Sequence, residues 1–383
     1  MVERTQESDS AKGRARGVIM LLAALLVALL GARSFLAMHE TDILYPGQGV
    51  TDMRMLSDYF SGLKDSPGDT PLYFLEGPED GGTTLILGGN HADEPGGYLS
   101  AVLLLENAVI TKGRVIIIPW TNKSAFTNTL PGEASPQRFP IETANGTRWF
   151  AYGSRYINPV HSWPDADVYV HYPSGQRLSG EETRNLNRTF PGRPNGNLAE
   201  RVCYGVAELI RKENVDLVID LHEAMPEYPN NNVIVAHDRA MGLAANAQLD
   251  LLLQGISISL SPSPPNFHGL THREIGDHTD AHVVLMEAPT ISIGRLRGRT
   301  TVETITEAKD DFYVWGAQLG RLFVPFTDDG WPLDVRVARH VTGIMAVLGA
   351  YGDLYPERAV VVERIPGYRE ISSGMGEFFH PPS

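Results

Sequence analysis

Short apolar runs alternate along this sequence with longer segments of helical periodicity, and this alternation is the feature that most constrains the fold. The runs are rich in Val, Ile and Leu, which is typical of strands buried on both faces of a sheet. Strands that alternate with helices indicate an α/β fold with a mixed, mostly parallel sheet and helices on both faces. The predicted strands are residues 72–75, 83–87, 115–118, 217–219 and 283–285, and the predicted helices are residues 52–63, 94–108, 198–212, 302–322 and 335–351.

Charge and cysteine content exclude several classes of function. The chain of 383 residues has 46 acidic and 32 basic side chains, which gives a formal net charge of −14. This acidic balance argues against a nucleic-acid partner, because nucleic-acid-binding proteins carry basic surfaces. Cys203 is the single cysteine, so an intrachain disulfide and a cysteine-based zinc site are both excluded. A metal ion would need histidines and carboxylates, and Cys203, within a predicted helix, is expected to be a small core residue.

The N-terminus has the pattern of an export segment or a membrane anchor. Residues 17–32 are apolar and uncharged, and basic residues such as Arg14 and Arg16 precede them. Their length suits the apolar core of a signal peptide, whereas extension through residues 35–38 would suit a spanning helix. Both alternatives predict an exported protein, either periplasmic, secreted or membrane-anchored with its bulk outside the cytoplasm. The predicted regions are a signal peptide or membrane anchor (1–40), a catalytic domain (41–350) and a C-terminal tail (351–383).

Polar residues with metal-ligand chemistry follow the predicted strand 83–87. Gly88 and Gly89 let the chain turn sharply, and His91 and Glu94 come next, three residues apart at the start of a predicted helix. At that spacing an imidazole and a carboxylate can face one point and form part of a zinc ligand set. Taken alone, the pair is also compatible with a glutamate that faces a helix dipole beside an unrelated histidine.

Two further predicted strands end in chemically capable residues. His222 follows strand 217–219, with Asp220 able to orient a histidine, and Glu287 follows strand 283–285. Because ligand crevices form at the carboxyl ends of parallel strands, we expect these residues at one edge of the sheet. His222 is either a third metal ligand or a histidine bonded to backbone at the edge of the core. Glu287 is either a general base toward water or a partner in a structural salt bridge.

An irregular region between these strands concentrates arginine and asparagine. Residues 121–195 are rich in Pro, Gly, Asn and Ser and lack a long periodic segment. In a compact domain a stretch of this length is usually functional. Arg184, Asn187 and Arg188 lie close together in it, and Arg177 precedes them. Guanidinium groups bind carboxylates bidentately, so the cluster predicts an anion cradle, with solvated surface charges as the alternative.

Four segments that carry these residues occur in an order typical of one family. The segments GGNHADEPGG, RNLNRTFPG, DLVIDLHE and LMEAP follow one another within about residues 80–320. Together they resemble the succinylglutamate desuccinylase/aspartoacylase family, whose members are relatives of the zinc carboxypeptidases. The resemblance implies a zinc carboxypeptidase-like fold for residues 41–350 and one Zn²⁺ ion per chain.

The resemblance also implies roles for individual residues. The implied zinc ligands are His91, Glu94 and His222, the implied catalytic residues are Glu287 and Arg177, and the implied substrate-binding residues are Asn187, Arg188 and Arg184. In this scheme Glu287 is the general acid/base, and Arg177 polarises the scissile carbonyl. Arg184 competes with Arg177 for that role, because spacing alone does not separate the two.

The predicted function is a zinc-dependent hydrolase that cleaves an amide bond in a carboxylate-bearing substrate, as an N-acyl amino acid deacylase does. An exported metallocarboxypeptidase that acts on peptides or cell-wall stem peptides is an alternative, because the same carboxylate clamp serves both reactions. The alternative from another class is a non-catalytic, zinc-containing module that binds a ligand. The presence of Glu287 argues against this module, since a pure binder does not need a general base.

A histidine cluster follows in the chain. His268, His272, His278 and His282 lie within fifteen residues. We expect them to belong to a polar loop over the active site that contributes a substrate contact. A second metal site is the alternative.

Overall fold

The computed structural model describes residues 2–129 and 136–380, and its contacts divide the chain into two compact units, Met1–Thr41 and Asp42–Ser383. The first unit contains helix α1 (Val2–Ala37). Among the described residues, one helical segment, Lys12–Ala37, is long and apolar enough to cross a membrane. Length and composition alone define this property, and a signal sequence has it too.

The second unit is built around a nine-stranded sheet. Two short antiparallel ribbons, β5–β6 and β7–β8, lie apart from the sheet and belong to the irregular region 121–195. The strands are β1 (Val50–Met55), β2 (Pro71–Glu76), β3 (Glu79–Leu87), β4 (Val109–Ile118), β5 (Arg138–Thr143), β6 (Gly146–Ala151), β7 (Val168–Val170), β8 (Arg177–Ser179), β9 (Leu217–Ala224), β10 (Val233–Ala236), β11 (Ser259–Pro262), β12 (His282–Pro289) and β13 (Val361–Glu363).

The centre of the sheet is parallel. Its strand order is β1-β2-β4-β3-β9-β12-β10-β11, with β13 paired to β4. Strands β4, β3, β9 and β12 run parallel to one another, whereas β1, β2 and β13 pair antiparallel with their neighbours. Strand β10 pairs antiparallel with β12 and parallel with β11. The mixed α/β fold class is therefore confirmed, and three of the four parallel strands, β3, β9 and β12, carry the predicted site motifs at their carboxyl ends.

Helices cover both faces of this sheet, as predicted. Ile86 and Ile117 lie in one apolar core, whereas their chain neighbours Leu85 and Ile116 lie in a second core, because successive side chains point to opposite faces of a strand. Helices α2, α4, α8 and α9 contribute to the first core and α3 to the second. The helices of this unit are α2 (Pro95–Asn107), α3 (Leu198–Lys212), α4 (Met241–Leu253), α5 (Thr271–His278), α6 (Val302–Thr306), α7 (Asp311–Gln318), α8 (Leu333–Leu354) and α9 (Tyr368–Gly374).

Two predicted helices are wrong, and local capping explains both. The predicted helix 52–63 is instead the edge strand β1 followed by two 3-10 turns, and the Asp58 carboxylate accepts a hydrogen bond from Met55 N at 2.9 Å. The predicted helix 302–322 is split into α6 and α7. Ala308 has a positive φ of 49°, and the Asp310 carboxylate caps α7 through Phe312 N. Asp is a preferred N-cap residue, so it starts a new helix where apolar periodicity alone predicts continuation.

Candidate metal centre and active site

The parallel register brings the predicted site motifs to one edge of the sheet. Leu87 at the end of β3 pairs with Asp220 on β9, and His222 on β9 pairs with Glu287 on β12. After β3 the chain turns through Gly89, whose φ of +62° favours glycine. A Cβ atom there would also lie 2.9 Å from a backbone carbonyl oxygen, so this turn requires glycine.

Three side chains converge at this edge. His91 Nδ1 lies 2.7 Å from Glu94 Oε1, and His222 Nδ1 lies 2.9 Å from Glu94 Oε2. One ligand atom from each residue lies within 4.8 Å of the others, and all three side chains are buried. Two imidazole nitrogens and one carboxylate form a common zinc ligand set that leaves a coordination position open.

The outer nitrogen of each imidazole is also held in place. His91 Nε2 lies 2.9 Å from Asn185 Oδ1, and His222 Nε2 lies 3.0 Å from Asp220 Oδ2. Asn90 Nδ2 donates to the other oxygen of Asp220 at 2.8 Å. Metal-binding histidines usually donate their second nitrogen to an oxygen, which fixes the ring orientation. The donor set and its supports therefore fit a metal ion between His91, Glu94 and His222.

Electrostatics separate the two histidines. Burial lowers the pKa of His91 to about 4, so this imidazole is neutral at neutral pH. Burial also disfavours charge on His222, but the carboxylates of Asp220 and Glu94 outweigh it and raise the pKa of His222 well above its ordinary value. Burial raises the pKa of Glu94, but both histidines outweigh this and hold it well below the ordinary range. The pocket thus favours a positive charge beside the Glu94 carboxylate.

Glu287 faces the same pocket from the neighbouring strand. Its Oε2 atom is buried and has no hydrogen-bond partner among the described residues. Burial raises the pKa of Glu287 to about 8, with the Glu94 carboxylate adding to the effect and His222 opposing it. A carboxyl group that titrates near neutral pH can both accept and donate a proton, which is the property of a general acid/base.

An arginine that the sequence motifs did not single out lies against the cluster. Arg155 Nη1 donates to Glu94 Oε1 at 3.2 Å, and about a quarter of its side chain is exposed. Burial lowers the pKa of Arg155, but the Glu94 and Asp93 carboxylates outweigh this and raise it. The sequence offered only a weak indication of a role for Arg155, namely its position within the irregular region 121–195, four residues after β6.

The predicted carboxylate clamp forms a compact turn. Asn187 is buried, and its Oδ1 accepts from Thr271 N at 2.9 Å. Arg188 Nη1 donates to Asn187 O, and its guanidinium lies 5.2 Å from the centre of the Phe267 ring. Burial lowers the pKa of Arg188. The guanidinium has its Nε atom 3.9 Å from the Glu182 carboxylate, so it is only loosely paired with an acid.

The two other predicted arginines lie in different surroundings. Arg184 is engaged by Asp165 through two bonds, at 2.7 and 2.9 Å, and also donates to Ile157 O. Its guanidinium is thus occupied by structural partners. Arg177 is exposed on β8, in register with Val170. Among the described arginines, Arg155 is the one with an ion pair to Glu94.

A buried ion pair next to the site connects strand β9 with helices α8 and α2. Arg336 Nη1 on α8 donates to Glu223 Oε1 at 2.7 Å, and both side chains are fully buried. The second oxygen of Glu223 accepts from Gly96 N on α2 at 2.9 Å. Because Glu223 follows His222 on β9, this pair ties the strand to the helix that starts beside Glu94.

The histidine cluster predicted from sequence separates in space. His272 Nδ1 lies 2.7 Å from Ser263 Oγ. His282 instead packs against Tyr355 at the start of β12, the end of the strand away from Glu287. His268 Nδ1 lies 2.8 Å from Glu274 Oε1, and His278 contacts the same glutamate. The four residues therefore do not form one loop or one metal site.

Comparisons with known proteins find similarity over part of the chain. Residues 80–261 match the family model of the succinylglutamate desuccinylase/aspartoacylase catalytic domain. The N-alpha-acetyl-L-2,4-diaminobutyric acid deacetylase of Halomonas elongata is 29% identical over 149 residues, which cover 37% of this chain and 29% of that relative. The chain therefore matches less than a third of the length of this curated relative.

Solved structures with a similar fold cover more of the chain. A succinylglutamate desuccinylase from Silicibacter sp. TM1040 has 17% identity and a TM-score of 0.38, over 74% of this chain and 61% of that one. The tripeptide-bound cell shape determinant Csd4 from Helicobacter pylori has 15% identity and a TM-score of 0.45, over 79% and 59%. This chain thus spans about three fifths of both structures.

Proposed function

Because residues 80–261 of this chain belong to the succinylglutamate desuccinylase/aspartoacylase catalytic-domain family, we propose that it is a zinc-dependent hydrolase of an amide bond in a carboxylate-bearing substrate. The observation that carries the proposal is the convergence of two histidine Nδ1 atoms on the Glu94 carboxylate. Beside this cluster lies Glu287, whose raised pKa suits proton transfer.

In this proposal His91, Glu94 and His222 hold one zinc ion. Asn185 and Asp220 keep the two rings oriented through their outer nitrogens. When bound, zinc would act as a Lewis acid and lower the pKa of water toward about 7. The buried Glu94 carboxylate, beside which the pocket favours a positive charge, suits such a cation.

Glu287 acts as general base and then as general acid. Its carboxylate accepts a proton from the attacking water and later donates it to the nitrogen of the leaving amine. The buried Oε2 atom, which has no other partner among the described residues, is the proposed proton carrier. A positioned acid/base of this kind typically contributes about 10²–10⁴-fold to the rate.

Arginine and asparagine side chains orient the substrate. We assign to Arg155, in contact with Glu94, the carbonyl-polarising role that the resemblance implied for Arg177. Arg188 and Asn187 would bind the substrate carboxylate, since a guanidinium and an amide both donate hydrogen bonds to it. Arg184, already bonded to Asp165, is left out of this clamp.

Two alternatives differ in substrate or in class. A metallocarboxypeptidase would use the same clamp for the C-terminal carboxylate of a peptide, and Csd4, which was solved with a tripeptide, favours this second candidate. A non-catalytic binding module would retain the metal and the clamp without turnover.

The test combines metal content with activity of the detergent-solubilised full chain. We expect about one zinc ion lost in His91→Ala, and turnover abolished with zinc retained in Glu287→Gln. The matched control is Glu142→Gln, which changes an exposed glutamate on β5 and is expected to leave both unchanged. N-acyl amino acids and peptides with free C-termini serve as parallel substrates. Turnover by Glu287→Gln equal to wild type would overturn the assigned role, and zinc without turnover of either class would favour the binding module.

The N-terminal helix supports a location outside the cytoplasm. Lys12–Ala37 suits a signal peptide or an anchor, and basic residues precede its apolar part. A C-terminal alkaline phosphatase fusion should be active and a matched green fluorescent protein fusion dark, because the first needs export and the second folds poorly after it. The reverse pattern would place the catalytic unit inside the cell.

A further inference from the structure

Outside the proposed active site, one more group of side chains brings metal-ligating atoms together. One ligand atom each from His171, His268 and Glu274 lies within 4.8 Å of the others. Within residues 2–129 and 136–380, this group and the active-site group are the two that meet this distance. We propose that His171, His268 and Glu274 bind a second divalent metal ion of the zinc class, which staples the β7–β8 ribbon to helix α5.

His171 is oriented as a ligand. It is buried just after β7, and its Nε2 lies 2.6 Å from Phe190 O. A carbonyl oxygen can only accept, so Nε2 carries the proton and Nδ1 keeps its lone pair. The hydroxyl of Ser174 lies 2.7 Å from Nδ1 and donates to this lone pair, so an ion bound at Nδ1 would replace the hydrogen bond from Ser174. This is the arrangement of a metal-binding histidine whose second nitrogen is anchored.

Glu274 supplies a buried carboxylate. Its side chain is 1% exposed, and Oε1 lies 2.8 Å from His268 Nδ1 and accepts from Gly269 N at 3.1 Å. Its second oxygen lies 3.5 Å from His278 Nδ1. These ion-pair partners are histidines, which carry charge only when protonated. A buried carboxylate in such surroundings is stabilised by a metal cation.

The donor set selects the kind of metal. Two imidazoles and one carboxylate suit zinc and similar transition metals, whereas calcium and magnesium take oxygen ligands. The His268 side chain is 33% exposed, so an ion can enter from solvent and keep a water molecule as its fourth ligand. This group shares no residue with His91, Glu94 and His222.

A metal ion at this group, which we call the staple, would hold the proposed carboxylate clamp in position. Phe190 donates its N–H to Gly269 O at 3.3 Å while its carbonyl accepts from His171. On the same loop, Thr271 donates to the Asn187 side chain. An ion at this group therefore joins the segments on both sides of residues 187–190. This consequence for substrate binding rests on the proposed function, whereas binding of the second ion does not.

Zinc content of the detergent-solubilised full chain tests the proposal. After dialysis against a weak chelator, we expect about two zinc ions in the wild type, about one in His268→Ala and about one in His91→Ala. The double variant should contain none. Glu274→Gln, which keeps the side-chain shape, serves as a second way to remove the site. The matched control is His282→Ala, since His282 packs on Tyr355 away from both groups.

The outcomes separate this proposal from the proposed function. One zinc ion in the wild type, lost in His91→Ala and retained in His268→Ala and Glu274→Gln, overturns the second site and leaves the active site intact. One zinc ion that is lost in His268→Ala and retained in His91→Ala supports the staple and overturns the proposed catalytic centre. Circular dichroism of each variant confirms that it is folded. Loss of the staple should raise KM about tenfold with a smaller change in kcat.

Discussion

The two candidate ligand groups differ in what holds their histidines. In the His91–Glu94–His222 group, the side chains sit at the edge of a sheet buried on both faces, and side-chain oxygens of Asn185 and Asp220 hold the outer nitrogens. The His171–His268–Glu274 group is mounted on a turn, a loop and a short helix, and a backbone carbonyl orients His171. The sheet edge, which we call the first frame, can hold an open coordination position in place for chemistry. The turn, loop and short helix, which we call the second frame, are suited to a metal ion that joins loops.

The largest difference is expected when an ion pair next to each ligand group is broken and the loss in free energy of unfolding is compared. Replacing the fully buried Glu223 by Gln leaves Arg336 as an uncompensated charge, so we expect a loss of about 3–5 kcal/mol in the free energy of unfolding. The matched change beside the second ligand group is Asp277→Asn, which removes a half-exposed carboxylate from the buried Arg273. The loss should be smaller, about 1–2 kcal/mol, because solvent screens the pair from the Asp277 side. Denaturant unfolding of both variants measures the difference, and equal losses would contradict the contrast.

The choice between arginines gives the next largest effect. Arg155→Ala should lower kcat by about 10²–10³-fold, because a hydrogen-bond donor to the developing oxyanion is lost. Arg177→Ala, at an exposed position on β8, should change kcat less than about twofold if the carbonyl is polarised by Arg155. Steady-state kinetics on one substrate decides between them. A large loss in Arg177→Ala with little loss in Arg155→Ala would restore the assignment implied by the family resemblance.

The supports of the first frame can be weakened separately from its ligands. Asp220→Asn removes the carboxylate that orients His222 and should weaken zinc affinity about 10–100-fold. Competition with a chromophoric chelator measures this change. Asp250→Asn, at an exposed position on α4 where the carboxylate accepts a hydrogen bond from Gln254, serves as the matched control. An unchanged affinity in Asp220→Asn would show that the ring is held by packing alone.

The smallest effect is a pH dependence of stability beside the second frame. Partial burial raises the pKa of Asp277, but hydrogen bonds from Arg273 and His237 outweigh it and lower the pKa. A lowered folded-state pKa contributes stability above the unfolded value, near 4, and this contribution disappears as the pH falls through the folded value. Wild type should therefore lose its advantage over Asp277→Asn as the pH falls below about 5 and on through the lowered folded-state pKa. An advantage that is constant over this range would rule out the ionised pair as its source.

Part of this site was predictable because strand ends are local features with fixed directions. The glycine turn into His91, the His222 strand end and the Glu287 strand end could each be found from apolar runs and their flanking residues. Parallel register then brings them together without further information. The zinc ligand role of the first group and the base role of Glu287 stay predictions, with a geometry that suits them.

The arginines could not be sorted in this way. Arg184 lies in the same loop region as Arg188, but its guanidinium forms an ion pair with Asp165. Arg155 comes four residues after a separate ribbon and reaches Glu94 only because that ribbon is positioned beside the sheet. Similarly, His268 shares a candidate ligand group with His171, which is distant in the chain, and not with His272 or His282, which are nearer in the chain.

By itself, then, the sequence determined the mixed α/β class, the strands with buried faces and the chemical types available at their carboxyl ends. These follow from side-chain periodicity and glycine turns, which act over a few residues. The tertiary structure alone decided which arginine contacts Glu94 and which histidines converge. Those outcomes depend on contacts between residues far apart in the chain, whose partners are selected by packing and by the need to pair buried charges.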